Sequence, residues 1–389
     1  LDTPGVVFLG RDSSRSWEAQ EVPLPAPIAL GAKVEPQVDS KVLAGVREEV
    51  VPTAKTSGCA SSGAVATSPV SAIPGARADY REGMKRYLSG DFEGAIESLS
   101  KVVVAHPDSE LSGYSDYYIG ESFYHLGRSD EALARFEQFV KRYPNHQRLD
   151  WAHYSVGWIY LEKKDFQKAV THFQSIAGSQ RDSPLAPMAL FGESEALGRS
   201  GRLEEAVAGK GLFLEMYPTH SMGPEVQFSM GGDLLRLHRF REAAEVFREF
   251  VATHPSHSFR EEAVYGLGIG LIYDERYDEG VSVLKAHLER FPNTPLAGSI
   301  LFGLVKGYLG KDELDMALET YEELVARFPH FEWADNALFD IGNSSLRKGD
   351  YTRSMEIYQN LLRIHPGSDL KALVYFNLGE ASYNLNHYD

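Results

Sequence analysis

The feature that most constrains this chain is a period. From about Ala76 onward one pattern returns every 37 residues, without an insertion or a deletion. With Gly120 taken as position 8 of a unit, that column reads Gly83, Gly120, Gly157, Ser194, Gly231, Gly268, Val305, Gly342 and Gly379. Position 20 is Ala95, Ala132, Ala169, Ala206, Ala243, Gly280, Ala317 and Ser354. Position 32 is proline at 107, 144, 218, 255, 292, 329 and 366; Arg181 breaks the series, with Pro184 three residues later. Position 17 is Phe92, Phe166, Leu203, Phe240, Tyr277, Leu314, Tyr351 and Tyr388, with Ser129 the exception. Self-similarity at such a period marks an array of small units that bury their faces only by stacking.

Spacing predicts two helices of 12–14 residues per unit, joined by a turn. Small residues at positions 8 and 20 are expected to face each other where the two helices cross, because larger ones would push the axes apart. The large residue at position 17 is expected to fill the wedge between the pair. Positions 24 and 27, as in Phe136 and Phe139 or Phe247 and Phe250, form the inner stripe of the second helix. Proline ends that helix, since it lacks an N–H and disfavours helical geometry in the residue before it. The copies are unequal. The fourth carries Gly209 and Gly211 inside its second helix, with Lys210 at position 24, and the third lacks its proline. Each interior glycine costs about 1 kcal/mol relative to alanine, so a bend or soft joint is expected over residues 177–212.

The pattern of small 8, large 17, small 20, aromatic 24 and proline 32 resembles the tetratricopeptide repeat, over about residues 76–389. The usual period there is 34. Here three extra residues follow the proline, as in Pro107-Asp108-Ser109-Glu110 and Pro292-Asn293-Thr294-Pro295. That longer form is similar to repeats of bacterial cell-envelope proteins, including the outer-membrane assembly lipoprotein and the Tol–Pal-associated periplasmic protein. The resemblance implies an all-α, right-handed superhelical solenoid of about 8.5 repeats, starting near residues 76, 113, 150, 187, 224, 261, 298, 335 and 372, the last incomplete. It also implies a non-enzymatic scaffold or adaptor in a multiprotein envelope complex. The compartment implied is the periplasm or cell envelope, with the cytoplasm as the alternative.

In that family the first helices line a concave groove that takes a partner peptide or helix. Position 5 faces it, and is aromatic in every unit here: Tyr80, Tyr117, Tyr154, Phe191, Phe228, Tyr265, Phe302, Phe339 and Phe376. The competing reading is that these rings pack on the next repeat. Positions 9, 12 and 13 vary as a binding surface would, and include Trp158, Arg199, Arg236, Tyr273 and Arg347. Trp151 reads as core more than contact. The Lys and Asn with which one subclass grips a terminal carboxylate are replaced by aromatics at position 5. Two other readings stand: a structural subunit that self-assembles through its ends and its N-terminal tail, or a targeting module of a longer protein.

Composition narrows the partners. Asp plus Glu number 55 against 39 Lys plus Arg, a formal charge of −16, which disfavours a nucleic-acid backbone. The excess suits a basic or amphipathic protein partner, or solubility alone. The single cysteine, Cys59, excludes an intrachain disulfide and a cysteine-built zinc site. No apolar run approaches the roughly 20 residues of a membrane span. No catalytic constellation and no cofactor motif appears. Gly266, Gly268 and Gly270 fall inside a first helix with no strand before them. His106, His254 and His365 share position 31 with tyrosines and phenylalanines of other units, which reads as packing or capping and not as metal ligation.

Residues 1–75 differ from the rest. Pro recurs throughout, Ser, Ala, Gly, Thr and Val dominate residues 51–75, and that stretch carries one charge, Lys55, and no aromatic residue. Such a stretch cannot offset its ordering entropy, and an extended or disordered segment is expected. Gly5–Gly10 is strand-like and Lys41–Val51 could form a helical turn or two. The surroundings of Cys59 argue against lipid attachment, with Thr56 where an apolar residue is wanted. The first residue is Leu1 and not Met, so a processed or truncated start is expected. The half unit from Lys371 leaves Leu373, Phe376 and Leu378 without cover, so either the chain runs on or a partner sits there.

Overall fold

The computed structural model describes residues 74–179 and 183–385. The readings for the N-terminal segment, Cys59, Arg181 and Tyr388 lie outside the described residues. Among those described there are seventeen α-helices and no strand. They fall into two compact units, one ending at Ser200 and the other beginning at Gly201. That boundary lies within the stretch where the repeats are weakest. The N-terminal unit holds α1 (Pro74–Leu88), α2 (Phe92–Ala105), α3 (Glu110–His125), α4 (Ser129–Arg142), α5 (Leu149–Glu162), α6 (Phe166–Ser179) and α7 (Ala186–Arg199). The C-terminal unit holds α8 (Leu203–Met216), α9 (Gly223–Arg236), α10 (Phe240–Thr253), α11 (Arg260–Tyr273), α12 (Tyr277–Arg290), α13 (Ala297–Gly310), α14 (Leu314–Arg327), α15 (Ala334–Arg347), α16 (Tyr351–Ile364) and α17 (Lys371–Asn384).

Within each unit every helix packs on its sequence neighbours, and first helices also touch first helices, as in α1 with α3 and α11 with α13. The small residue at position 8 has a sharper cause than the spacing suggested. A Cβ on Gly120, Gly157 or Gly231 would sit 2.7 Å from the ring at position 24 of the same repeat, Phe136, Phe173 or Phe247. Phe173 and Phe247 are also roofed by position 6 of the next repeat, where Cβ atoms on Gly192 and Gly266 would lie 2.6 and 2.7 Å away. Position 20 does meet position 8, but at its carbonyl: Ser354 Oγ donates to the Gly342 oxygen at 3.1 Å. Position 17 fills the wedge within a pair, as Phe92 does edge-on to Tyr87 at 5.7 Å, and it also holds successive repeats together. Phe92 stacks on His125 at 4.6 Å, and Phe240 on Tyr273 at 5.1 Å.

Two recurring turns set the frame. Position 15, between the helices of a pair, has positive φ in all eight complete repeats: Gly90, Gly127, Lys164, Gly201, His238, Glu275, Asp312 and Gly349. Glycine reaches that region freely, and the other four carry strain. After the second helix, proline at position 32 occupies the second place of a β-turn, closed by the N–H of position 34 on the carbonyl of position 31 at 3.0–3.2 Å. The side chain at position 34 then accepts the N–H two residues on, at the mouth of the next helix. This holds for Ser109, His146, Ser183, His220, His257, Thr294 and Ser368. The residues that lengthen the repeat beyond 34 are this turn.

Lys210 is almost wholly buried at the place other repeats fill with a ring, and its Nζ pairs with Asp233 at 2.5 Å. The glycines at 209 and 211 do not interrupt α8. Acidic residues at positions 18 and 19 meet arginines. Arg128, Arg202, Arg239 and Arg276, each just before a second helix, pair with the glutamate three residues on at 2.5–2.7 Å. Arg239 also reaches Glu204 of the preceding repeat at 2.9 Å. Such exposed pairs contribute little singly.

Candidate partner-binding face

Because first helices touch one another as well as second helices, their side chains are covered from several directions. The aromatic column at position 5 lies inside. Tyr117, Tyr154, Phe191, Phe228, Tyr265, Phe302 and Phe339 are 1–7% exposed, Tyr80 is half-buried, and only Phe376 is open, at 71%. The expected ladder of displayed rings is therefore corrected: these rings are core, and they pack chiefly on the second helix of their own repeat, as Tyr117 does on Phe136 and Phe139 and Phe228 on Phe247 and Phe250. Burial pushes the Tyr154 hydroxyl up to about 12. What the first helices show to solvent, at least in part, are positions 2 and 13, with positions 9 and 12 open in some repeats only: Glu195 and Ile269 at 9 and Leu161, Leu235 and Ile272 at 12 are buried.

In the N-terminal unit this stripe mixes aromatic and charged groups. Trp158 is half-buried, edge-on to Tyr154 at 6.0 Å and to Phe173 at 5.7 Å. Glu121 on α3 accepts from Ser155 on α5 at 3.0 Å. Burial raises its carboxyl, against the hydrogen bonds from Ser155 and Tyr117 and the charge of Arg148. Tyr124 donates to Glu162 at 3.2 Å, and burial followed by the Glu162 charge raises its hydroxyl. Arg148 reaches the Tyr118 hydroxyl at 3.3 Å and lies over the half-buried Trp151. Arg199 closes the stripe, with Glu195 at 3.9 Å.

In the C-terminal unit the same stripe is a series of polar pairs. Arg236 is exposed and meets Asp233 at 3.1 Å. Tyr273 is half-buried against Phe240; burial raises its hydroxyl and the Lys306 charge opposes this. Lys306 pairs with Asp340 of the next first helix. Burial pulls the Lys306 ammonium down, but Asp340 and Tyr273 outweigh it and the net direction is up. Arg347 is exposed at the end of α15 and is lowered chiefly by burial of its head. Asn377 donates to Asn343 at 2.7 Å and to the Tyr358 hydroxyl at 2.9 Å.

The structure thus brings Tyr154 and Trp158 together, and Tyr273 with Lys306. It places Phe191, Phe228, Tyr265, Phe302 and Phe339 in the core. Sequence reasoning missed Glu121, Glu162, Asp340 and Asn377. Glu121 and Glu162 fall in the position 9 and 13 columns already read as variable, whereas position 6, which holds Asp340 and Asn377, is glycine in three other repeats and gave no signal. Among the described residues no three His, Cys, Asp or Glu side chains come together to hold a metal, and no helix is long and apolar enough to cross a membrane.

Comparison with known proteins adds two family matches. Residues 75–183 match a family described as outer membrane lipoprotein (YfiO). Residues 228–295 and 302–369 match the tetratricopeptide repeat. No curated protein matches the chain. Among solved structures, a tetratricopeptide repeat protein from Parabacteroides merdae is 16% identical, with 69% of this chain and 98% of that one covered and a TM-score of 0.49. PilW, a type IV pilus biogenesis factor, is 16% identical over 60% of this chain and 98% of its own, with a TM-score of 0.45. MamA from Desulfovibrio magneticus RS-1 is 21% identical over 47% and 97%, with a TM-score of 0.39.

Proposed function

We propose that this chain, whose fold is a tetratricopeptide-repeat array, is a non-catalytic scaffold that holds a protein partner against its first helices. One observation carries the reading. Within each unit positions 9, 12 and 13 keep side chains partly or fully open on helices that are otherwise core: Tyr124, Trp158 and Arg199 in the N-terminal unit, Arg236 and Arg347 in the C-terminal unit. An apolar body with a polar tip is what an extended or helical peptide meets in recognition of this kind. The position-5 rings act from beneath, fixing the spacing of the stripe. The outer membrane lipoprotein match over residues 75–183 supports a place in a bacterial envelope complex. The partner is a protein, basic or amphipathic, in keeping with the net charge of −16.

The test is a cross-linking pull-down from the native source with the whole chain and with Trp158→Ala plus Arg199→Ala. The reading expects a specific partner that the double variant no longer retains, at unchanged helicity. Equal recovery by both would remove the stripe from the account.

Self-assembly is the second reading, and one observation favours it. On α17, Leu373, Tyr375, Phe376 and Tyr383 are 52–71% exposed. Phe376→Ser with Leu373→Ser should abolish any concentration-dependent rise in mass by light scattering. A mass that does not rise with concentration in the unmodified chain would dispose of this reading.

A further inference from the structure

The residue at position 34 does the same task in seven repeats with different chemistry. In four the acceptor is a hydroxyl, from Ser109, Ser183, Thr294 or Ser368. In three it is an imidazole. His146 Nδ1 accepts the Arg148 N–H at 3.0 Å, His220 Nδ1 the Met222 N–H at 3.2 Å, and His257 Nδ1 the Phe259 N–H at 3.2 Å. A hydroxyl keeps its lone pairs at any ordinary pH. An imidazole accepts only while that nitrogen is unprotonated.

We infer that three turns between repeats are proton-responsive: protonating His146, His220 or His257 at Nδ1 removes the acceptor that seats the next first helix, while the Ser and Thr turns hold. The protonated ring would turn an N–H toward a backbone N–H, donor against donor. The uncapped residues are Arg148, Met222 and Phe259, immediately before α5, α9 and α11. One such turn lies in the N-terminal unit and two in the C-terminal unit.

The groups facing each ring are these. His146 is wedged against Tyr114 at 4.5 Å, Phe139 at 5.2 Å and Tyr143 at 6.0 Å, with the Arg148 charge beside it. Burial, then Arg148, holds it below the ordinary histidine value. His220 lies on Phe213 at 5.4 Å and Tyr217 at 6.4 Å. Burial lowers it and Glu225 opposes. His257 packs on Phe250, His254 and Phe259, and its Nε2 is 3.4 Å from Glu225. A carboxylate there takes the Nε2 proton as its hydrogen bond, which leaves Nδ1 as the acceptor. The sign follows for His146 and His220. Their folded values lie below the unfolded value of about 6.5. The unfolded chain therefore binds protons first, and stability falls as pH drops from about 6.5 toward the folded values.

The measurement is a pH titration of backbone amide shifts in the whole chain by TROSY NMR, from about pH 7.5 to 5. The Arg148 and Met222 amides should each follow an imidazole titration with a midpoint below about 6.5, and the Phe259 amide should shift when the His257 ring is protonated. The Leu111, Leu296 and Leu370 amides, capped by Ser or Thr, should stay still. The triple variant His146→Ser, His220→Ser and His257→Ser keeps a cap at each turn. It should lose the part of the acid dependence of the unfolding midpoint that His146 and His220 contribute, about tenfold in the unfolding constant per unit of depression at each of those two, while the part from His153, His172, His287 and His365 remains. Three amides that do not move, or that move together with the Ser- and Thr-capped ones, would overturn the inference. So would a folded triple variant with the parent's acid dependence.

Discussion

Gly231 and Gly232 are adjacent in the middle of α9, and replacing each by alanine should move stability in opposite directions. The local term is the same for both: alanine is favoured over glycine in a helix interior by about 1 kcal/mol. The tertiary term is not. A Cβ on Gly232 meets nothing within 4 Å. The gain then stands, and the thermal midpoint of this 150–250-residue class of unit should rise by roughly 2–4 °C. A Cβ on Gly231 would lie 2.7–2.9 Å from three atoms of the Phe247 ring. That ring is fully buried and cannot retreat, because Gly266 of the next repeat bounds it on the far side at a similar distance. Overpacking of this kind costs about 1–3 kcal/mol. Net of the helical gain, Gly231→Ala should range from near neutral to about 2 kcal/mol destabilising. The assay is thermal and urea unfolding of both single variants, followed by circular dichroism. Phe247→Ala supplies the control, since leucine at position 24 in other repeats, Leu99 and Leu284, is as close to a Cβ at position 8, at 2.6 and 2.4 Å. In that background Gly231→Ala should become less costly, a coupling expected only of groups in contact. If Gly231→Ala stabilised as much as Gly232→Ala, the ring would not be seated between the two glycines, and the packing rule for the array would be wrong.

The remaining predictions use the same frame. Tyr265→Ala should cost about 3–5 kcal/mol, whereas Phe376→Ala, at the same repeat position but 71% exposed, should cost roughly 1.5 kcal/mol at most; urea midpoints compare them. Lys164→Gly and Glu275→Gly, at φ of 62° each, should each stabilise by about 0.5–1 kcal/mol by relieving a left-handed backbone, and a loss of stability would refute the strain. Asp233→Ala withdraws a carboxylate from the buried Lys210 and should destabilise by about 3 kcal/mol, read from the unfolding midpoint. His172 is lowered to about 4, by burial and then by His153, whose Nδ1 is 3.0 Å from its own. Its folded value is below the unfolded one, so stability should fall as pH drops from about 6.5 to 4, and His172→Phe should flatten that slope in a urea series.

The period made the helices, their pairing and the inner stripe readable, because core residues repeat when the geometry repeats. What escaped did so for physical reasons. The left-handed position 15 is glycine in only half of the copies, and Lys164, His238, Glu275 and Asp312 conceal a shared φ. The cap at position 34 is carried by hydroxyl or imidazole, chemically unlike groups that present the same lone pair to the same N–H. The exposure of position 5 could not be read from one repeat, since it depends on how closely successive first helices approach. At position 6, Gly303 lets its helix close on Ile269 and Tyr265 of the first helix before it, while Gly192 and Gly266 admit the position-24 rings Phe173 and Phe247, and the rings that the sequence suggested were on display are buried. The pairs Glu121–Ser155 and Lys306–Asp340 join consecutive repeats and leave no trace in the pattern of one.

The central claim is that the first-helix stripe holds a protein partner. It is tested most directly by placing a photo-crosslinking amino acid at Trp158 and at Arg236, with the outward-facing Val104, 81% exposed, as the reference site, and irradiating in the native source. The account predicts one discrete crosslinked protein species from Trp158, from Arg236 or from both, and none from Val104. Crosslinks from Val104 alone, or the same smear from all three, would contradict it.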